Sequence, residues 1–214
     1  MRVEIWSDVV CPWCYIARHR LDRAIAELPS PPRVELLFRS FELDPDAPKT
    51  AERTVVERTM DRQGISREEA ERATAYVTQV AAADGLEMNL ATARPTNTLD
   101  AHRLLQLAAI RQVRPALEER FHRAYFAEGV DVGDPVRLLA MAHEVGISEV
   151  DARRVLAGRA FTLQVRTDEQ EARALDAPGV PFVAFDRTRT LAGARSVGDY
   201  RAVLEAPSIG VERG

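Results

Sequence analysis

Strand-like apolar runs mark the two ends of this chain, and apolar residues at helical spacing fill most of what lies between. Arg2-Val3-Glu4-Ile5-Trp6 reads as a strand, being rich in β-branched and aromatic residues. From Cys14 onward the apolar positions Ala17, Leu21, Ala24, Ile25 and Leu28 form a helical stripe. Pro29-Ser30-Pro31-Pro32 stops that helix, and Val34-Glu35-Leu36-Leu37-Phe38 begins a second strand that continues toward Phe41. Strand, helix and strand in this order make a βαβ unit, which implies parallel pairing.

The pattern changes after Asp44-Pro45-Asp46-Ala47-Pro48. From about 50 to 176 the chain is rich in Ala, Glu and Arg and carries helix punctuation throughout. Ser66-Arg67-Glu68-Glu69 is a capping box, and Gly85 is a helix stop. Asn97 is placed to cap a helix over 98–113, with Leu99, Leu104, Leu105, Leu107 and Ala108 available for burial. Arg114-Pro115 breaks that helix and opens another that ends near Gly129. Asp134-Pro135 opens a helix that Gly146 ends, Ser148 starts a short one, and a last runs over about 161–176. Strand signals then return. Pro181-Phe182-Val183-Ala184-Phe185 is a short apolar strand, 186–189 is turn-like, and Thr190-Leu191-Ala192-Gly193 is the returning strand of a hairpin. A closing helix over 196–204 presents Val197, Tyr200, Val203 and Leu204 on one side.

Neither set of strands makes a stable sheet alone, so strands from both chain ends must pair. The expected architecture is α/β. Residues 1–45 and 177–206 form one discontinuous domain, 46–176 an inserted all-helical domain, and 207–214 a C-terminal tail.

Composition narrows the function classes. The chain has 214 residues, 46% of them hydrophobic and 29% charged, which suits a globular protein with a normal core. A net charge of −4 gives no electrostatic case for nucleic acid or an anionic membrane. No apolar run approaches a membrane span. The N-terminal residues go straight into a strand without a basic-apolar leader, so the expected compartment is a reducing cytoplasm.

Candidate chemistry is concentrated in Val9-Val10-Cys11-Pro12-Trp13-Cys14-Tyr15, at the first strand-to-helix junction. Residues at this spacing share a helix face, with Cβ atoms roughly 5–6 Å apart. A disulfide tolerates Cα separations of about 4.4–6.8 Å, so the pair can open and close with little backbone movement. Pro12 fits the first helical position, which puts Cys11 at the N-cap. Free N–H groups and the positive end of the helix dipole favour a thiolate there. Three other readings compete with redox chemistry. An inert buried pair does not explain the junction or Pro12. A zinc site needs about four ligands, and His19, His102, His122 and His143 are scattered. A structural disulfide does not suit a chain without a secretory leader. Dithiol redox chemistry remains, with no metal and no organic cofactor.

Cys11-Pro12-Trp13-Cys14 after the first strand, with Gly179-Val180-Pro181-Phe182 before a late one, resembles the thioredoxin fold. The large helical insertion is similar to that of the DsbA class. Residues 7–16, Phe41-Glu42-Leu43-Asp44-Pro45 and Asn97-Thr98-Leu99-Asp100-Ala101-His102-Arg103-Leu104 resemble the FrnE-like branch of DsbA-family oxidoreductases. The resemblance implies that Cys11 is the nucleophile and Cys14 the resolving cysteine. It implies that Pro181 is a cis-proline facing the dithiol, with Val180 offering its backbone to an incoming chain beside Trp13. It also implies that Asn97, Thr98 and His102 face the groove. The partners implied are protein or small-molecule thiols and disulfides; the oligomeric state is left open. No histidine lies between the cysteines, which implies a less oxidising potential than in members that have one. Neither Glu4 nor Asp8 is assigned a role. The alternatives are a glutathione-dependent isomerase or transferase, a polyketide-tailoring enzyme on the same scaffold, or a non-catalytic peptide-binding protein. Serine typically replaces the first cysteine in the glutathione-dependent classes, so both cysteines count against them.

Overall fold

A computed structural model describes residues 1–29 and 34–206. The proline-rich stop at 30–32 and the tail 207–214 fall outside the described residues. Strand β1 (Arg2–Ser7) leads into helix α1 (Pro12–Ala26), and the chain returns as β2 (Glu35–Ser40). The parallel register pairs Val3 with Leu36 and Ile5 with Phe38. The other edge of β1 is taken by β3 (Phe182–Phe185), which runs antiparallel and pairs Ile5 with Val183 and Trp6 with Phe182. Strand β4 (Arg189–Ala192) follows as a hairpin, giving the order β2-β1-β3-β4. Between β2 and β3 lie α2 (Val55–Gln63), α3 (Arg67–Ala83), α4 (Leu99–Ile110), α5 (Arg114–Phe126), α6 (Pro135–Glu144), α7 (Glu149–Ala157) and α8 (Thr162–Ala174). Helix α9 (Val197–Glu205) closes the described chain.

Helix starts follow the caps. Ser66 and Ser196 make full capping boxes with Glu69 and Asp199, and Asp134 caps α6 ahead of Pro135. Thr54 and Glu57 make another box that opens α2. The helix expected over 98–113 is shorter. Gln112 takes a left-handed conformation, and the Val113 N–H returns to the Ala108 carbonyl. That closure ends α4 three residues early.

Strand alternation sorts the sheet faces. Val3 and Ile5 of β1, with Val183 and Phe185 of β3, pack on Leu21 and Ala24 of α1 and Tyr200 and Leu204 of α9. Trp6, Phe182 and Ala184 point the other way, against Ala172 of α8. The Trp6 indole N–H donates to the Asp168 carbonyl at 2.7 Å. The helices have their own core, built on Leu104, Leu105, Leu117, Phe121 and Phe126. Val9, Tyr15 and Ile16 belong to that second core, so the β1–α1 junction is gripped from both sides.

Glu4 is buried on the α8 side of the sheet. Arg187 donates to it at 2.6 and 2.8 Å and Arg39 at 2.7 and 3.0 Å. Burial alone would raise its pKa, but the Arg187 and Arg39 hydrogen bonds outweigh it and hold the carboxyl at about 2. A depressed folded pKa contributes stability above the unfolded value, and that stability is lost as pH falls toward the folded one. Glu4→Gln is expected to lower stability at neutral pH by on the order of 3 kcal/mol. The difference from wild type narrows between roughly pH 4.5 and 2. Denaturant melts across that range test this; a gap that does not change with pH would be the contrary result.

Candidate active site

The site begins where β1 runs out. Its last residue is Ser7, and Asp8, Val9 and Val10 turn the chain into α1. Cys11 is the N-cap in extended conformation, and Pro12 is the first helical residue. The cap bond is made by sulfur: Cys11 Sγ accepts from the Cys14 N–H at 3.3 Å. Both cysteines are free thiols. Cys11 is 4% exposed and Cys14 0%, so the order of exposure is as expected, but the nucleophile candidate lies only just below the surface. Burial pushes the Cys14 thiol well up, and the neighbouring Cys11 sulfur pushes it further. The Asp8 backbone N–H works against this, while the Asp8 charge adds to it.

Across from the dithiol is the loop that enters β3. The Val180–Pro181 bond is cis, as the resemblance implied. The Cys11 thiol lies 3.8 Å from the Val180 carbonyl and donates to it. Pro181 is buried, and its carbonyl accepts from the Gly193 N–H at 2.8 Å. Val180 is half-buried. Trp13 is also half-buried, and its ring centroid lies 6.4 Å from that of Tyr76 on α3. Tyr76 is 61% exposed, so an aromatic pair reaches solvent beside the thiols.

The three helical-block residues fall in different places. Thr98 is buried and lines an open cavity of about 830 Å³, together with Asp8, Val10 and Pro12. Arg58 and Arg62 of α2 line it too, with Asp44, Glu52 and Asp61. The Asn97 side chain is spent locally: its amide donates to the Pro45 carbonyl at 2.9 Å, and its oxygen accepts from the Leu99 N–H at 3.1 Å. It thus straps the segment after β2 to the start of α4. His102 is 1% exposed and stands behind Asp8, its Nε2 3.3 Å from Asp8 Oδ1.

Tyr76 was missed by the sequence reading at this site, and Asp8 was named there without a role. Asp8 is 1% exposed, and its Oδ2 accepts from the Leu43 N–H at 2.7 Å. A polar Ser7-Asp8 pair inside an apolar run was the available signal. Beneath α1, His122 packs at a tilt against Tyr15, with ring centroids 4.8 Å apart. Burial pushes its pKa down, which favours the neutral ring. Among the described residues no group of three His, Cys, Asp or Glu side chains is arranged to hold a metal ion. No described helix is long and apolar enough to cross a membrane.

A central strand that delivers two cysteines to a helix start, opposite the loop of its antiparallel neighbour, is the thioredoxin-like DsbA architecture. The chain belongs to the DSBA-like thioredoxin domain family, which it matches over residues 2–205. It is 37% identical to a probable DsbA oxidoreductase from Streptomyces coelicolor, over 99% of this chain and 93% of that one, with a TM-score of 0.93. Two more distant structures share the fold. One is the cytosolic disulfide reductase DsbM from Pseudomonas aeruginosa with GSH, at 18% identity and TM-score 0.66, covering 96% of this chain and 98% of that one. The other is a 2-hydroxychromene-2-carboxylate isomerase, at 14% identity and TM-score 0.69, covering 95% of each chain. No curated protein matches the chain.

A thiolate is the reactive form of cysteine. With Cys14 fully buried and its pKa raised, brief iodoacetamide treatment at neutral pH should label Cys11 in preference. Peptide mass spectrometry reads the ratio, and preferential labelling of Cys14 would reverse the assignment.

Proposed function

We propose that this protein is a cytoplasmic thiol–disulfide oxidoreductase of the FrnE-like branch, working through the Cys11-Pro12-Trp13-Cys14 dithiol. The observation that carries this reading is the position of the Cys11 sulfur. It takes the Cys14 N–H at the start of α1 and lies 3.8 Å from the Val180 carbonyl. The sulfur there meets a backbone N–H of the helix end and faces a backbone edge that an extended substrate can join.

The Cys11 thiolate attacks a substrate disulfide, forming a Cys11–substrate bond and expelling one substrate thiolate. The Cys14 thiolate then attacks Cys11 Sγ, closing Cys11–Cys14 and releasing the second substrate thiolate. Run backwards, the same steps oxidise a substrate dithiol. Substrates are protein or small-molecule thiols and disulfides, seated against Trp13, Val180 and Pro181. Thr98 borders the neighbouring cavity, and Asn97 and His102 hold its walls.

A second reading has one observation in its favour. The cavity of about 830 Å³ beside Pro12, lined by Arg53, Arg58 and Arg62 and by Asp8, Asp44, Glu52 and Asp61, has room for a small thiol. The solved DsbM structure contains GSH, and another relative is an isomerase. A glutathione-linked activity would use that cavity and would not need Cys14.

Cysteine variants separate the readings. Cys14→Ser should accumulate a Cys11–substrate mixed disulfide, visible on non-reducing gels, and Cys11→Ser should lose disulfide turnover. Turnover that survives Cys11→Ser removes the dithiol mechanism. Full activity in Cys14→Ser with glutathione as co-substrate favours the second reading.

A further inference from the structure

We propose that one face of α5, carrying Glu119, His122 and Phe126, positions the dithiol: through the Tyr15 hydroxyl it holds the first turn of α1 so that Cys14 stays aimed at Cys11 during resolution. This rests on the dithiol reading above and adds to it residues that act through the turn rather than on sulfur.

Spacing sets the face. Residues 119, 122 and 126 follow one another at intervals of three and four, on one side of α5. All three meet Tyr15, the residue directly after Cys14. The Tyr15 hydroxyl donates to Glu119 Oε1 at 2.8 Å. Its ring lies 4.8 Å from the His122 ring and stacks on Phe126 with centroids 5.7 Å apart. His122 also reaches the other flank of the turn, with Nε2 3.5 Å from the Asp8 carbonyl. That same carbonyl accepts the Cys11 N–H at 3.1 Å. Helix α5 therefore grips the chain just before Cys11 and just after Cys14.

Glu119 is held in turn. Its Oε2 lies 3.1 Å from His19 Nε2, one turn along α1 from Tyr15, and the His19 ring meets the Tyr15 ring edge-on at 5.0 Å. Burial would raise the Glu119 carboxyl, but the His19 and Tyr15 hydrogen bonds outweigh it and hold it at about 2. Burial and the bond to Glu119 push the Tyr15 hydroxyl up, so it stays a donor. The bond joins a buried phenol to a permanent carboxylate, a charge-assisted contact between the two parts of the fold.

Resolution is the step that needs it. In the dithiol the Cys14 N–H donates to Cys11 Sγ at 3.3 Å and to the Cys11 carbonyl at 3.0 Å, and the Tyr15 N–H donates to that carbonyl at 3.3 Å. Once Cys11 is joined to a substrate, its sulfur is a neutral disulfide sulfur and a weak acceptor. The cap weakens at the moment when Cys14 must be held in line, and an uncapped first turn frays. The Tyr15–Glu119 bond uses no sulfur, so it is unchanged by that step. Alignment of reacting atoms carries large rate factors, and small misplacements are costly.

Reaction of the reduced full-length protein with a chromogenic aryl disulfide tests this. The first step joins Cys11 Sγ to one aryl sulfur and expels the other as aryl thiolate. The second joins Cys14 Sγ to Cys11 Sγ and expels the remaining aryl thiolate, and both thiol protons end in the buffer. Only the second phase is independent of disulfide concentration. In Tyr15→Phe, which keeps the ring and removes the hydroxyl, the ratio of second-phase to first-phase rate should fall about tenfold. Glu119→Ala should do the same, and Glu119→Gln, which keeps an acceptor oxygen, should recover most of the rate. Tyr15→Phe combined with Glu119→Ala should be no slower than either alone, because both remove one bond. Circular dichroism melts establish that each variant is folded, and Tyr15→Phe decides the matter where Glu119→Ala is not. A wild-type second phase in folded Tyr15→Phe, or equal slowing of both phases, overturns the positioning role and leaves the dithiol mechanism standing. A wild-type protein that releases no first thiolate overturns both.

Discussion

Everything at the site depends on β1 being an interior strand of the sheet, paired on both edges. Its parallel partner β2 comes from the βαβ unit, and its antiparallel partner β3 comes from beyond the helical block. The β3 register pairs Trp6 with Phe182. Continuing that register past the strand ends sets residue 180 opposite residue 8, beside the turn that leads to Cys11. The 3.8 Å approach of Cys11 Sγ to the Val180 carbonyl is thus a consequence of strand pairing. A slip of one residue would turn Val183 and Phe185 out of the α1–α9 core, so burial fixes the register and the register fixes the site.

The helical block supplies what the sheet cannot. Val9, Tyr15 and Ile16 are buried in the helical core while Leu21 and Ala24, further along α1, are buried against the sheet. The start of α1 is therefore clamped between two cores. That clamp keeps the helix end, and the N–H groups it presents to sulfur, from fraying as an isolated terminus would. The block also contributes Tyr76 beside Trp13, Thr98 on the cavity wall and His102 behind Asp8. The candidate groove is a seam between the two parts of the fold.

What could be read from the sequence was what neighbouring residues determine. Pro12 and the stripe after Cys14 mark the start of α1, and the β-branched run before them marks β1, so the Cys11 cap was legible. The Thr54 and Glu57 box that opens α2 was equally local, but the sequence reading did not name it. The end of α4 was not legible, because Gln112 adopts a left-handed conformation without the glycine that usually signals it. Glu4 was ambiguous because alternation gives a face but not what covers it. Its arginine partners Arg39 and Arg187 lie 35 and 183 positions away. His102 was noticed through a resemblance and expected in the groove; its bond to Asp8 spans 94 positions, and no pattern within α4 encodes it.

The two buried carboxylates of the β1 segment, Glu4 and Asp8, sit in different surroundings. Glu4 receives four arginine hydrogen bonds of 3.0 Å or less, and its pKa is held at about 2. Such a group is a permanent anion, and its work is to tie β1, β2 and the β3–β4 turn together. Asp8 has one backbone donor and one imidazole, and the imidazole is itself a titratable group. Leaving Nδ1 of His102 and Oε1 of Glu42 unpaired costs about 1–3 kcal/mol each in a buried setting. The contrast lies in the partners: fixed guanidinium donors hold both oxygens of Glu4, whereas Asp8 is held by one peptide N–H and one ring nitrogen.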